Sequence, residues 1–391
     1  MEAYLDNAAT TPVFPEVRDI MVKVMEEDFG NPSSKHAKGI AAEKYITDAK
    51  NIIADIIKCQ PKEIIFTSGG TEANNMALIG TALANARRGK HIITTCIEHA
   101  SVHEPLAYLE GLGYEVTYLP VDCFGHVDEI VLENAVRDDT ILVSVMYVNN
   151  EIGAVEDIGR LCDVAKRKNK DIIFHVDAIQ AYGKLKIVPK KFGSYGIDLM
   201  SVSGHKIHAP KGSGFLYVKD KTKINPIIYG GGQQKGMRSG TENVPAIAGL
   251  GLASAMMYDN KSGFKADMLY NLKERLIAGL KPVEGAVING IDTSDIRKSA
   301  PHIVNVGFEA VKSEVMLHAL ADKGVYVSSG SACSSNRPEL SGTLKAIGVD
   351  NKLLDSSLRF SFSVMTLPEQ IDYALMQVKE VLPVLRRFVK R

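Results

Sequence analysis

The sequence lacks an excess of charge of either sign. Its 391 residues include 46 Lys and Arg and 46 Asp and Glu, so the formal net charge at pH 7 is zero. Nucleic-acid-binding domains are usually strongly basic, and we therefore expect no direct nucleic-acid partner. The 45% of hydrophobic residues, in a chain of this length, are enough for a substantial core.

Long apolar runs are also missing. The longest uncharged apolar stretch, Pro245–Tyr258, has 14 residues, whereas a membrane-spanning helix needs about 20. The first twelve residues contain two acidic residues and no basic group before an apolar run, unlike a secretory signal. We expect a cytoplasmic protein without a membrane segment.

Cysteine is scarce and scattered. The five cysteines form no Cys-x-x-Cys pair, so the sequence predicts neither a zinc site nor a thioredoxin-like motif. His99 and His103 have the spacing of metal ligands on a helix, but they lack a third ligand, and we expect no metal. Cys333 differs from the rest because the small polar residues around it suit an exposed thiolate nucleophile. The cysteines expected to be packing residues are Cys59, Cys96, Cys123 and Cys162.

Strand-length apolar runs alternate with amphipathic helical segments over the first two thirds of the chain. This alternation predicts an α/β domain whose mainly parallel sheet is covered by helices on both faces, with ligands at the carboxyl ends of the strands. We predict a large domain of residues 15–260 and a small α+β domain of residues 1–14 and 261–391. The predicted strands of the large domain are Glu63–Thr67, His91–Thr95, Glu115–Pro120, Thr140–Val148, Asp171–Val176, Asp198–Ser203 and Gly214–Val218, with helices at Thr71–Ala86, Ser101–Leu112 and Ile158–Asn169.

The segment from Phe66 to Glu72 passes from a strand through Gly69 and Gly70 into a helix. Free N–H groups at a helix start form an anion site, and glycine allows a phosphate to approach the backbone closely. An ordinary turn capped by Thr71 is the alternative. Because the chain lacks both a Walker loop and a Gly-x-Gly-x-x-Gly turn, we do not expect a nucleotide.

Several polar residues stand at or near predicted strand ends. Lys206 could be an amine nucleophile for a carbonyl cofactor, or a surface lysine. Asp177 could pair with a pyridine nitrogen or cap a helix, and Gln180 could contact the same ligand. His99 could stack on an aromatic ring and move protons. Arg359 interrupts a strand-like run and could bind a carboxylate, or face water.

Taken in order, these motifs resemble the class V, fold-type I enzymes that depend on pyridoxal 5'-phosphate. More narrowly, the chain is similar to cysteine desulfurases of the nitrogen-fixation and iron–sulfur-cluster type. The resemblance covers essentially the whole chain, and its most specific parts are Arg238–Asn243 and Ser328–Cys333. Other matching segments are Tyr4–Pro12, Gly30–Ser34, Ser68–Asn75, Asn149–Gly153, His175–Ala178 and Ser203–Lys206.

The resemblance implies a role for each candidate residue. Lys206 would hold the cofactor as a Schiff base and then move the proton at the substrate Cα. Asp177 would pair with the pyridine nitrogen, and His99 would stack on the ring. Arg359, supported by Asn31, would bind the substrate carboxylate. The other implied contacts are those of Gln180 and Asn150 with the phenolic oxygen or the substrate, and those of Gly70, Thr71, Ser203, His205 and a second subunit's Thr241 with the phosphate.

The implied reaction takes sulfur from L-cysteine. The Cys333 thiolate would attack the substrate sulfur, leaving L-alanine and a persulfide on Cys333. The persulfide would supply a sulfur-acceptor protein, such as an iron–sulfur scaffold, or tRNA thiolation. Thr241 implies a homodimer with shared active sites. The alternatives are a selenocysteine lyase or another class V lyase or aminotransferase and, from a different functional class, a catalytically silent scaffold.

Overall fold

The computed structural model describes residues 1–259, 265–329 and 340–389. Within these ranges the helices are α1 (Pro15–Glu26), α2 (Ala37–Ile57), α3 (Gly70–Asn85), α4 (Ala100–Gly111), α5 (Glu129–Ala135), α6 (Ile158–Lys168), α7 (Val244–Tyr258), α8 (Lys265–Leu280), α9 (Ser313–Ala321), α10 (Gly342–Ala346), α11 (Asn351–Leu354) and α12 (Pro368–Val389). The strands are β1 (Ala3–Tyr4), β2 (Ile64–Thr67), β3 (His91–Thr95), β4 (Glu115–Leu119), β5 (Thr140–Met146), β6 (Ile173–Asp177), β7 (Leu199–Ser203), β8 (Gly214–Val218), β9 (Ala286–Asn289), β10 (Ile303–Phe308), β11 (Val325–Tyr326), β12 (Ser328–Ser329) and β13 (Ser357–Ser361).

The larger sheet has seven strands in the order β2-β8-β7-β6-β5-β3-β4. Strands β3 to β7 pair in parallel, whereas β8 is antiparallel to both of its neighbours, β2 and β7. The mainly parallel α/β architecture predicted from the sequence is therefore confirmed. Strand β8 departs from the pattern because residues 204–213 contain no crossover helix, and a chain that returns without one runs antiparallel.

Both faces of this sheet are covered. Successive strand residues point to opposite faces, so Ile92 and Ile93 belong to different hydrophobic clusters, as do Ile173 and Phe174. Residues of α3 and α4 complete the first cluster, and residues of α2, α6 and α7 complete the second. Strands β3, β5, β6 and β7 are consequently buried along their whole length, as expected for central parallel strands.

The C-terminal part of the chain forms an antiparallel sheet in the order β12-β13-β10-β9. A further hydrophobic cluster combines Ala3 and Leu5 with side chains between Leu269 and Leu382. This grouping agrees with the predicted small domain, but the predicted boundary at residue 260 lies outside the described residues, and the two-domain division stays a prediction. No helix in the described ranges is long and apolar enough to cross a membrane.

The N-terminal segment contacts both parts of the chain. Strand β1 pairs in parallel with β11 in a separate two-stranded sheet, and a single bridge then joins Asp6 to Ser361, the last residue of β13. Further along, the backbone N–H of Thr11 donates to the carbonyl of His205 at 2.9 Å. Residues 3–11 therefore connect the C-terminal sheet to the turn that follows β7.

Candidate active site

A cavity of about 210 Å³ lies at the carboxyl ends of β5, β6 and β7. This is the edge of the sheet at which the sequence predicts the ligand. The cavity is lined by ten of the residues singled out from the sequence: Gly70, Thr71, His99, Asn150, Asp177, Gln180, Ser203, His205, Lys206 and Arg359.

Lys206 lies in the short turn after β7. Its Nζ donates to the carbonyls of Ala8 and Ala9 at 2.6 and 2.7 Å, so the N-terminal segment forms one wall of the cavity. The buried ammonium of Lys184 donates to the backbone carbonyl of Lys206 at 2.8 Å. A Cβ on Gly204 would lie 2.3 Å from the hydroxyl of Ser213, so the turn requires glycine there.

Asp177 ends β6 and is buried. Its Oδ1 accepts the N–H of Ile179, and its Oδ2 accepts the amide of Asn74, both at 2.9 Å. Burial raises the pKa of Asp177, while these hydrogen bonds and the nearby His99 and Lys206 oppose the shift. A buried carboxylate that faces a cavity is stabilised by a cationic ligand, so Asp177 fits the protonated nitrogen of a pyridine ring.

His99 caps the N-terminus of α4. Its Nδ1 accepts the backbone N–H of Ser101 at 3.0 Å and lies 2.9 Å from the Ser101 hydroxyl. Burial lowers the pKa of His99, which favours the neutral imidazole. A neutral ring suits stacking on an aromatic cofactor.

The glycine turn at the start of α3 lies beside Ser203. Gly69 has a φ of 150°, a conformation that side chains rarely adopt, and a Cβ on Gly70 would meet the Cδ1 of Ile179 at 2.2 Å. The same Cβ would lie 3.3 Å from the Cβ of Ser203. The helix start, the hydroxyls of Ser203 and Thr71 and the ring of His205 are groups that suit a phosphate.

Arg359 reaches the cavity from β13. Its Nη1 donates to the carbonyl of Asn150 at 2.8 Å, and its Nη2 donates to the Oδ1 of Asp6 at 2.9 Å. Its Nε is buried and has no acceptor among the described residues. Because an unsatisfied buried donor is unfavourable, a substrate carboxylate would supply an acceptor that the described protein does not.

Three predicted residues are not part of this cavity. Asn31 is exposed, and its Oδ1 accepts the N–H of Ser33 at 2.9 Å. Thr241 is also exposed, and its predicted contact requires a second subunit. Cys333 lies outside the described residues. The predicted roles of all three stay predictions.

The comparison with known proteins accounts for this arrangement. A family profile described as "Aminotransferase class-V" matches residues 3–374. The chain belongs to the class-V aminotransferase family. Its relatives include cysteine desulfurase IscS of Methanosarcina thermophila, which is 44% identical over 383 residues, covering 98% of this chain and 92% of that protein.

Solved structures give the same result for the fold. A structure titled "NifS-like protein" matches with a TM-score of 0.91 at 36% identity, over 98% of this chain and 100% of the other. Another, titled "SspA in complex with cysteine", matches with a TM-score of 0.80 at 33% identity, over 93% and 100%. The family and the fold predicted from the sequence are therefore confirmed. Enzymes of the class-V aminotransferase family depend on pyridoxal phosphate.

Some residues at this class-V site had no predicted role. Ala8 and Ser101 line the cavity, while Asn74 and Asp6 contact predicted site residues. Asn74 carries a sequence signal, because a polar residue among Ala73, Met76 and other apolar residues of a helix is unusual in a core. Asp6 carries none, since its partner is distant in the chain.

The four described cysteines differ in their surroundings. Burial raises the pKa of the Cys59 and Cys162 thiols to about 12 and also raises that of Cys96, so these three remain protonated. They agree with the predicted packing role. Cys123 is exposed, so its predicted packing role is wrong: it lies in a surface turn.

Glu98 precedes His99 and is buried. Its Oε1 accepts the N–H of Met146 at 2.8 Å and the hydroxyl of Thr95 at 2.7 Å. Its Oε2 has no partner among the described residues, and burial raises the pKa of Glu98 from 4.5 to about 8. The folded chain therefore holds this proton more tightly than the unfolded chain does.

We expect Glu98→Gln to change how stability depends on pH. Between pH 4.5 and about 8, wild-type stability from this group is lost as pH rises, because the unfolded carboxyl ionises first. The substituted amide does not titrate. The unfolding free energy of the variant, relative to that of wild type, should therefore increase with pH, by at most about 1.4 kcal/mol per pH unit. Urea unfolding at several pH values measures this. Glu104→Gln, on the exposed side of α4, is the control, and parallel curves for wild type and Glu98→Gln would contradict the assignment.

Proposed function

We propose that this chain is a pyridoxal-phosphate-dependent cysteine desulfurase. It takes sulfur from L-cysteine, releases L-alanine and carries the sulfur as a persulfide on Cys333. The observation that supports this best is the grouping of Lys206, Asp177, His99 and Arg359 around one cavity, in a chain 44% identical to a cysteine desulfurase.

The cavity has the groups that this cofactor requires. Asp177 would pair with the ring nitrogen, His99 would stack on the ring, and Gln180 or Asn150 would contact the phenolic oxygen. Bound pyridoxal phosphate supplies an electron sink that stabilises negative charge at the substrate Cα. The residues that would hold its phosphate are Gly70, Thr71, Ser203 and His205, with Thr241 of a second subunit.

Lys206 and Arg359 would act on the substrate from two directions. The Lys206 amine holds the cofactor and moves the proton at the substrate Cα. Arg359 binds the substrate carboxylate, and its contacts with Asp6 and Asn150 hold the guanidinium in place at the cavity that it lines. Asn31 remains the predicted support for this contact.

Cys333 would accept the sulfur. Its thiolate attacks the substrate sulfur, the S–S bond forms as the Cβ–S bond breaks, and the electron pair stays with Cβ. The described residues on either side of 330–339 lie close to the cavity. Ser328 pairs with Arg359 in the sheet, and the hydroxyl of Ser341 donates to the carboxylate of Glu151, the residue after Asn150.

The activity is tested with purified chain loaded with pyridoxal phosphate. Incubation with L-cysteine should give L-alanine and a mass gain of one sulfur atom on the peptide that contains Cys333. A chain that forms no alanine from L-cysteine would be inconsistent with the proposal. Alanine from L-selenocysteine alone would favour the selenocysteine lyase alternative.

We expect Arg359→Lys to weaken substrate binding more than turnover. An ammonium group cannot reproduce the two-pronged contact of a guanidinium, so the KM for L-cysteine should rise about tenfold or more, with a smaller change in kcat. Steady-state alanine formation measures both. Arg275→Lys, in an exposed ion pair with Asp372, is the control and should keep both constants. An unchanged KM in Arg359→Lys would remove Arg359 from the substrate site.

The homodimer, the sulfur-acceptor protein and a cytoplasmic location belong to the same proposal. Arg238, three residues before Thr241, contacts the first turn of α3, because its Nε donates to the Oε1 of Glu72 at 2.9 Å. Thr241 is therefore held near the surface of its own chain, where a second subunit could meet it. Light scattering of the loaded chain tests the dimer.

A further inference from the structure

Asn74 is a fully buried amide on α3 that does not line the cavity. Its Nδ2 donates two hydrogen bonds, one to the Oδ2 of Asp177 and one to the hydroxyl oxygen of Ser101, each at 2.9 Å. Ser101 in turn contacts the ring of His99. One side chain therefore contacts Asp177 directly and His99 through Ser101, and these are the two groups that would contact the ring of the cofactor.

The direction of these hydrogen bonds follows from the donors available. Asn74 Nδ2 can only donate, so the Ser101 oxygen accepts from it, and the Ser101 O–H is left to donate to the Nδ1 of His99. The backbone N–H of Ser101 also donates to Nδ1. With two donors directed at it, Nδ1 carries no proton, and the neutral ring carries its proton on Nε2.

The orientation of the amide is equally constrained. The Oδ1 of Asn74 is buried without a partner among the described residues. Reversing the amide would satisfy nothing at Asp177, because it would place an amide oxygen against a carboxylate oxygen, and both are acceptors. The contact with Asp177 therefore determines which way Asn74 faces.

We propose that Asn74 is a positioning residue that fixes the Asp177 carboxylate and, by orienting the Ser101 hydroxyl, the hydrogen bonding of the His99 ring. It acts through Asp177 directly and through Ser101 indirectly, and it does not itself reach the cofactor. The part concerning cofactor binding rests on the proposed function. The part concerning the hydrogen bonding of the His99 ring holds for the chain without cofactor.

Asn74→Asp is the most informative variant, because it keeps the shape of the side chain and replaces the donating NH2 group by an accepting oxygen. An aspartate places a second carboxylate against Asp177 and gives the Ser101 hydroxyl a new acceptor in place of His99. Asn74→Ala removes both contacts, and Ser101→Ala removes only the branch to His99. Asn85→Asp is the matched control, since Asn85 is also buried on α3 but donates to Thr81 and Lys223, away from the cavity.

Two measurements are made on each variant. The first is the dissociation constant of pyridoxal phosphate for the chain without cofactor; we expect Asn74→Asp and Asn74→Ala to weaken binding about tenfold or more and Asn85→Asp to stay within about twofold. The second is the 15N chemical shift of the His99 ring nitrogens in the chain without cofactor. Wild type should show the Nε2–H tautomer. Asn74→Asp and Ser101→Ala should keep this tautomer, because the backbone N–H of Ser101 still donates to Nδ1, and should move the Nδ1 signal downfield, away from its protonated value, since Nδ1 then accepts one hydrogen bond fewer.

The outcomes separate the possible explanations. Wild-type cofactor affinity and wild-type ring shifts in Asn74→Asp and Asn74→Ala would overturn the proposal. If Asn85→Asp lost as much cofactor affinity as the Asn74 variants, the effect would be a general destabilisation of α3, and this result would also overturn the proposal. If Asn74→Asp does not fold, Ser101→Ala still tests the hydrogen bond from the Ser101 hydroxyl to His99. If wild type binds no pyridoxal phosphate, the proposed function fails, whereas the ring shifts still decide the role of Asn74.

Discussion

The Lys206→Ala chain is expected to lose cysteine desulfuration by more than about 10³-fold, because we propose that this one amine both holds the cofactor and moves the Cα proton. The variant should still take up pyridoxal phosphate, since the contacts expected of Asp177, Ser203 and His205 remain. Borohydride reduction should therefore attach the cofactor covalently to wild type and not to Lys206→Ala. Alanine formation and the mass of the reduced protein are the two measurements.

Lys211→Ala is the matched control for this experiment. Lys211 is exposed and lies five residues further along the same loop. The control should keep both the activity and the covalent attachment. Covalent attachment that persists in Lys206→Ala would mean that another amine holds the cofactor, and the buried Lys184, which contacts the Lys206 backbone, would be the first to examine.

The Cys333→Ala chain is expected to keep its bound cofactor and to lose persulfide formation. Alanine release from L-cysteine should fall by about 10³-fold, because the variant lacks the proposed sulfur acceptor. Cys59 and Cys162 cannot replace it, since burial raises the pKa of both thiols to about 12 and leaves almost no thiolate at neutral pH. The absorbance of the bound cofactor, the alanine and the peptide masses report these three properties separately.

Cys123→Ala provides the control, because Cys123 is the exposed cysteine among the four described. It should behave as wild type in all three measurements. Sulfide and alanine released at the wild-type rate by Cys333→Ala would instead indicate a class V lyase that does not need a protein thiol. That result would not contradict the proposed binding of the cofactor in the cavity.

Much of the secondary structure can be predicted from hydrophobic patterning. Strands β3 and β8 have the expected bounds, since each is a compact apolar run between turn residues. The direction of β8 could not be predicted, because side-chain alternation is the same in parallel and antiparallel strands. The predicted strand Asp171–Val176 is displaced in the structure, where β6 begins at Ile173 and ends at Asp177.

The residues of the candidate site also differ in whether the sequence could predict them. Lys206 and Asp177 could be predicted because a polar residue at the end of a buried strand is conspicuous in the sequence. The contact between Asp6 and Arg359 spans 353 positions and leaves no local signal. The burial of Glu98 was equally hidden, because its sequence neighbourhood is that of an ordinary strand-to-helix turn.

The N-terminal wall of the cavity has a consequence for synthesis of the protein. Residues 3–10 leave the ribosome early, but their partners are Val325 and Tyr326 in β11 and Arg359 in β13. The strands between Ile64 and Val218 can pair while the rest of the chain is still being made, because N-terminal units fold first. The cavity is therefore completed late, after Arg359 has been translated and has met Asp6.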